Sequence, residues 1–433
     1  MRNWRVTNLL HDHVTIGILI FTISYAAIVS EKIHRTIVAL IGAGLMILFH
    51  EISQSEALAT IDFNTLGLLV GMMIIVNIIR DTGLFQYLAI KSAKIARGNP
   101  KVIMILFSVI TAFASGFLDN VTTILLIVPV SVVIADTLKL NPIPFVISEI
   151  MSANIGGAAT LIGDPPNIMI GGATGLGFID FMVNLFPLMM FILAINTAVL
   201  LLIFRKSFTV DEESKREILS FDEHKAITDK KLMIKSLIVL LLVIAGFASS
   251  EFIGVESASI AIFGASVLLL IGKVEPEDML EKVEWTTIFF FGGLFILVGV
   301  LVKIGVIDFL GQQMISITQG DVKLTTGLVL WMSAILSSFL DNIPYVATMI
   351  PLVNTISAGS VTTFEPVWWA LSIGACLGGN GTIIGASANV VARGILEKHN
   401  IKISFIKYMK IAFPLMILSI LISSIYLLVF YLI

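Results

Sequence analysis

Of the 433 residues, 57% are hydrophobic and 13% charged, and the mean hydropathy is +1.00. A soluble domain is about one quarter charged, so the chain is expected in a lipid bilayer. A net charge of −3 leaves no electrostatic footprint for nucleic acid, and a single cysteine, Cys376, excludes an internal disulfide or a multi-thiolate metal site.

A helical span needs about 20 apolar residues. Runs of that kind predict about ten full spans, near 14–30, 36–50, 62–80, 142–172, 180–204, 232–250, 257–272, 284–302, 366–392 and 407–431. No small-residue cleavage site follows 14–30, so that stretch reads as a retained first helix. Residues 101–138 and 323–358 are apolar but interrupted at their middles by Asp119-Asn120 and Asp341-Asn342. Each predicts a re-entrant hairpin, because non-helical backbone at membrane depth must be covered by protein or line a wet cavity. The spans 142–172 and 366–392 are broken, by Gly156-Gly157 then Gly163-Asp164-Pro165-Pro166, and by Gly378-Gly379 then Gly385-Ala386-Ser387. Proline lacks the amide that would continue a helix. Stretches 83–98 and 305–319 read as interfacial helices.

The chain says its principal motifs twice. Asp341, Gly378, Thr382, Gly385 and Asn389 follow Asp119, Gly156, Thr160, Gly163 and Asn167 by 222 positions each, and Glu284 follows Asp62 by the same interval. Duplicated units in an apolar chain mark transporters built from two structural repeats. The expected fold is an all-α polytopic membrane protein with two inverted repeats, each carrying a re-entrant hairpin and a broken helix. The expected organisation is N-terminal helices 1–61, repeat 1 over 62–204, a linker 205–231, connecting helices 232–283 and repeat 2 over 284–433. With hairpins returning to their own side, one face holds all but four of the 27 basic residues, the exceptions being Arg2, Arg5, Lys303 and Lys323. The positive-inside rule makes that face, including the 205–231 loop, cytoplasmic in a plasma or inner membrane.

Two carboxylates at equivalent mid-membrane positions, Asp119 and Asp341, suggest a site, since such a group costs a few kcal/mol in lipid. Each could also cap the second hairpin helix, and the helix dipole would then hold the charge ready for Na⁺ or a proton. Asn120, Asn342, Thr122 and Thr123 add polar groups at the tips, and Na⁺ is expected at Asp119/Asn120 and Asp341/Asn342. Asp164 is either a turn former before prolines or a third carboxylate of the site. Its counterpart is Ala386, followed by Ser387. Asn154 and Asn380 each sit near a Gly-Gly pair, whose unwound carbonyls can ligate a cation or whose small size can serve helix packing. Thr160, Thr382, Asn167 and Asn389 complete the candidate set. Glu149, inside its span, either carries protons or pairs with Lys139 or another base. Cys376 reads as a small apolar filler.

The run Asn154-Ile-Gly-Gly-Ala-Ala-Thr160-Leu-Ile-Gly163-Asp164-Pro165-Pro166-Asn167 resembles the broken-helix signature of the ion transporter superfamily. Phe-Leu-Asp-Asn at 117–120 and 339–342 resembles its arsenite permease branch, which includes bacterial arsenite permeases, NhaD-type Na⁺/H⁺ antiporters and the animal melanosomal P protein. The resemblance spans roughly residues 10–430. It implies elevator-like movement of a transport part against a scaffold, commonly in a homodimer. Divalent anion/Na⁺ symporters of the superfamily carry Ser-Asn-Thr at the tips, where this chain has Asp119-Asn120-Val121 and Asp341-Asn342-Ile343.

Three carboxylates in a low-dielectric site would repel a di- or tricarboxylate. The expected function is therefore secondary active transport driven by H⁺ or Na⁺, with no other cofactor. Efflux of a neutral or cationic inorganic solute such as arsenite or antimonite ranks first, Na⁺/H⁺ antiport second, with anion symport and a passive channel as further alternatives. The arsenite-type reading also admits a soluble ATPase subunit as partner. An enzyme is not expected: no nucleotide-binding Gly-Lys-Ser/Thr motif occurs, and an intramembrane aspartyl protease would need glycine where Leu161 stands.

Overall fold

The computed structural model describes residues 2–30, 32–358 and 364–433, with side chains from Val14 onward except those of Glu251 and Ala358. The first half forms α1 (Arg2–Ser30), α2 (Arg35–Leu48), α3 (Gln54–Ala59), α4 (Phe63–Asp81), α5 (Leu84–Ile95), α6 (Pro100–Phe117), α7 (Asn120–Thr137), α8 (Ile143–Ala158), α9 (Pro165–Thr174), α10 (Phe178–Asn184) and α11 (Phe186–Ile203). After α12 (Glu212–Ser220) in the linker come α13 (Lys230–Ile253), α14 (Ser257–Gly272), α15 (Pro276–Glu281), α16 (Trp285–Lys303), α17 (Val306–Thr318), α18 (Val322–Ser337), α19 (Asn342–Ala358), α20 (Glu365–Gly378), α21 (Ser387–Lys398) and α22 (Phe405–Leu427). The described residues contain no strand.

Helix starts keep the 222-residue interval from α2/α14 through α9/α21. The equivalence thus reaches back past Asp62 and Glu284, and α2–α3 hold the same places in the first half as α14–α15 in the second. The hairpin arms α6–α7 and α18–α19 break at the Asp-Asn tips, and the broken helices part into α8/α9 and α20/α21. Among the described residues seven helices are long and apolar enough to cross a membrane, or eight if the pair α9–α10, bent by 116°, is one span. Five of the seven lie among the ten expected spans, and two are the arms of the first hairpin. Several others, such as the 14-residue α2, reach only about 21 Å at 1.5 Å per residue and need thinning or snorkelling to match the bilayer. The expected single span 180–204 is corrected. It divides at Leu185, where Pro187 in the first turn of α11 starts a new helix and Asp180 ties the Gly177 amide at the start of α10.

The halves are inverted. Asn64 bonds Glu256 at 3.0 Å, which brings the starts of α4 and α14 to one end. Lys282 bonds Asp81 at 2.5 Å, which puts the start of α16 beside the end of α4. Equivalent helices α4 and α16 therefore begin at opposite ends of the protein. They also exchange partners. α4 packs on α14 and α16 on α2, each through a glycine that lets backbones touch. A Cβ on Gly71 would lie 2.6 Å from the Ala261 carbonyl carbon, and one on Gly293 would lie 2.8 Å from that of Ala39. The second hairpin arms cross over too, α7 onto α21 and α19 onto α9.

Each hairpin is stapled to its own broken helix by the same set of contacts. Ser115 Oγ donates to Ala153 O at 2.7 Å, and Ser337 Oγ to Ala375 O at 2.6 Å. The Thr160 hydroxyl donates to Gly116 O and the Thr382 hydroxyl to Ser338 O. The linker straps the end of α4 and the helix after it: Thr228 N donates to Thr82 O at 3.0 Å, and Lys94 on α5 bonds Glu223 at 2.5 Å, which holds that half-buried carboxyl below its usual range.

Glycine at α6/α8 and α18/α20 is required by sterics. A Cβ on Gly156 would meet Ala112 O at 2.0 Å and one on Gly378 would meet Ala334 O at 2.6 Å, whereas Gly44 and Gly327 have nothing within 4 Å. Gly156→Ala and Gly378→Ala are expected to destabilise by about 1–3 kcal/mol or more, read as a lower melting temperature in detergent. Gly44→Ala and Gly327→Ala should cost nothing and gain up to about 1 kcal/mol of helix propensity.

Candidate ion and substrate site

The tips and breaks of both halves meet at one place. Asp119 precedes α7 and caps it: Oδ1 accepts the Thr122 amide at 2.8 Å and Oδ2 the Thr122 hydroxyl at 2.5 Å. Asp341 stands likewise before α19, and its Oδ1 accepts the Ile343 amide at 3.1 Å. Its Oδ2 accepts from Arg35 Nη1 at 2.7 Å and Ser387 Oγ at 2.8 Å. Asp164, at the start of α9, makes no capping bond. Buried to 1% exposure, it instead accepts Asn342 Nδ2 on both oxygens, at 3.3 and 3.1 Å. A carboxyl of the first half thus meets the tip amide of the second.

Behind the tips runs a chain of amides. Asn154 Nδ2 donates to Asn380 Oδ1 at 2.9 Å and to Asn389 Oδ1 at 3.0 Å, and Asn154 Oδ1 accepts from Asn120 at 3.3 Å. Asn389 Nδ2 caps the unwound carbonyls of Gly379 and Thr382 at 2.7 and 2.9 Å. Asn167 does the same for Thr160 O at 2.9 Å while accepting from Ser372 Oγ at 2.6 Å. Such groups satisfy backbone that lipid could not.

Between the tips lies a cavity of about 30 Å³, lined by Asp119, Asn120, Asp164, Asn342 and Ser387 together with Arg35, Glu284, Thr287, Leu69 and Met73. Three carboxyls and one guanidinium therefore share its wall. Asp341 opens instead into a larger vestibule of about 270 Å³ that also touches Arg35 and Ser387.

Several expected residues stand elsewhere. Thr160 and Thr382 turn their hydroxyls to hairpin carbonyls, so they hold the fold rather than a solute. Thr122 and Thr123 bond Asp119, the latter through its backbone carbonyl at 3.0 Å, and neither lines the cavity. Glu149 does not pair with Lys139. It is buried with the Ser131 hydroxyl as its bond partner, while Lys139 reaches Asp211 at 3.4 Å in the linker. The expected Na⁺ site at Asp341/Asn342 is altered, because Arg35 already holds one Asp341 oxygen. Arg35 and Glu284 are new members. In the sequence Arg35 reads as a loop cation that sets orientation, and Glu284 only as a register mark. Their positions, Arg35 as the first residue of α2 and Glu284 just before α16, at the starts of two apolar helices that pack on each other, are the signal that could have found them.

The chain's likenesses agree with this architecture. A profile of the citrate transporter family, CitMHS, matches residues 25–374. An uncharacterized transporter of Mycobacterium tuberculosis, Rv2684, is 42% identical over 418 residues, covering 95% of this chain and 97% of that protein. The human P protein is 34% identical over 500 residues, covering 96% of this chain and 60% of its own length. The crystal structure of the Alcanivorax borkumensis YdaH transporter superposes with a TM-score of 0.60 over 89% of this chain and 88% of that one, at 14% identity, a likeness of fold alone. A family match over most of the chain, and a 42% identical relative covered almost from end to end, show that this protein belongs to the citrate transporter (CitMHS) family and is a multi-pass membrane transporter.

Proposed function

We propose that the protein is a secondary active transporter that exchanges Na⁺ for protons across the cell membrane, with the 205–231 linker in the cytoplasm and two chains per assembly. The observation that carries this reading is the cavity of about 30 Å³ walled by Asp119, Asp164 and Glu284. It has room for an ion with a water or two. Carboxylates, amide carbonyls and hydroxyls are the oxygen ligands that hard cations take. Protons and Na⁺ would compete for the same carboxyls, and exchange follows if the empty, charged site cannot cross. Either cation lowers the cost of moving the acids through the membrane. The stapled hairpins and broken helices would move as one body against the α2/α16 and α4/α14 frame.

A second reading is favoured by one observation. Arg35 lines the cavity, and a guanidinium is suited to a carboxylate, which supports di- or tricarboxylate symport. Arsenite efflux, first among the sequence expectations, has no observation of its own: the thiol of Cys376 is buried against Asn167 at 3.6 Å and is not part of the cavity wall.

Proteoliposomes with an imposed pH gradient separate these. Addition of Na⁺ or Li⁺ should collapse the gradient, while arsenite should not. Citrate uptake without a Na⁺ response would replace the antiport reading by symport. Asp119→Asn, Asp164→Asn and Asp341→Asn should each abolish Na⁺-dependent proton flux, with melting temperatures near that of the parent protein; undiminished flux in all three would remove the site assignment. Asn154→Ala should behave otherwise. It strands three neighbouring amides in the interior, and should cost about 1–3 kcal/mol for each donor or acceptor left unpaired, read as a lowered melting temperature.

A further inference from the structure

The protein has two vestibules that are the same depression used twice. One, about 270 Å³, lies where α2 begins, and the other, about 320 Å³, where α14 begins. Ile28, Ile33 and Val390 in the first correspond to Ser250, Val255 and Ile168 in the second, at the 222-residue interval. The charges at the two mouths differ. His34 and Arg35 stand at the first, and Glu256 and Ser257 hold their places at the second.

Arg35 does what Ser257 cannot. Its Nη1 alone spans Asp341 Oδ2 at 2.7 Å and Ser387 Oγ at 2.9 Å. The guanidinium lies over the Phe290 ring, 4.9 Å from its centre, an attraction between cation and ring face. Arg35 and Ser387 also line both the vestibule and the inner cavity, so this side chain stands in the wall between them. At the equivalent carboxyl, Asp119, both oxygens are turned to Thr122 of its own helix.

We propose that Arg35 is a tethered competitor of the transported cation at Asp341, and that it latches the vestibule at its own end while the cation is absent. The inference rests on the Na⁺/H⁺ reading of the adjoining cavity, with which this vestibule shares Arg35 and Ser387. A cation that takes Asp341 displaces the guanidinium, and the displaced side chain opens the wall between vestibule and cavity. The other mouth has no such latch, so cation binding unlocks one end of the protein and not both.

The test uses the full chain in proteoliposomes at fixed pH, with Na⁺ as the probe. Arg35→Gln should lower the Na⁺ concentration for half-maximal exchange by about tenfold, the loss of one charge-assisted competitor. Arg35→Lys keeps the positive charge but loses the guanidinium over the Phe290 ring, and should fall between the parent protein and Arg35→Gln. Phe290→Leu keeps the latch intact but removes the ring beneath it, and should move the Na⁺ affinity about two- to fivefold in the same direction as Arg35→Gln. Phe290 is not part of the cavity wall, so this variant also serves if Arg35→Gln does not fold. An unchanged or weakened Na⁺ affinity in Arg35→Gln or Phe290→Leu overturns the latch while leaving antiport standing. Absence of any Na⁺ dependence in the parent protein overturns the antiport reading, and the latch with it.

Discussion

Backbone groups in lipid have no water to turn to, and this chain interrupts its helices at four places in its interior. Every interruption is covered by protein. Gly156 and Gly378 let the hairpin backbone come close enough to touch, serine and threonine hydroxyls tie the tips, and Asn167 and Asn389 cap the unwound carbonyls. Polar groups at the breaks, chiefly Asp119, Asp164 and the tip amides Asn120 and Asn342, are the ones that face the cavity. The site is thus what remains of the helix breaks once their backbone has been satisfied.

Much of this was legible from residue spacing. The 222-residue interval, the Asp-Asn interruptions and the Gly-Gly/Pro-Pro breaks are local features, and local features predict where a helix stops. The side-chain partners were less legible because they depend on which helices meet. Thr160 and Asn167 look like ligands when only polarity and depth are considered, yet their hydroxyl and amide serve carbonyls. Arg35 lies 306 residues from Asp341, and nothing in the spacing brings the two together. The split near Leu185 is hidden because the run from 181 to 204 carries no charge, and Pro187 in the first turn of α11 marks the new start.

The acid-rich reading of the site also shifts once Arg35 is in place. Acidic groups alone favour a cation. A guanidinium among them sets a local balance that an ion must disturb in order to bind, and it can be disturbed from the vestibule that Arg35 itself lines. Glu284 adds a further acid at the start of α16, on the same side of the cavity as Arg35, since Thr36 bonds the Thr286 carbonyl at 2.7 Å.

The exchange of partners between halves reaches beyond transport. Because α2 rests on α16 and α4 on α14, neither half can bury its own early helices without the other. The two halves thus meet through the same kind of contact used twice, in opposite orientations, around one shared cavity. Within one chain the two copies are free to differ, and at positions 35 and 257 they do so where the charge at the mouth is set: arginine in one copy, serine in the other.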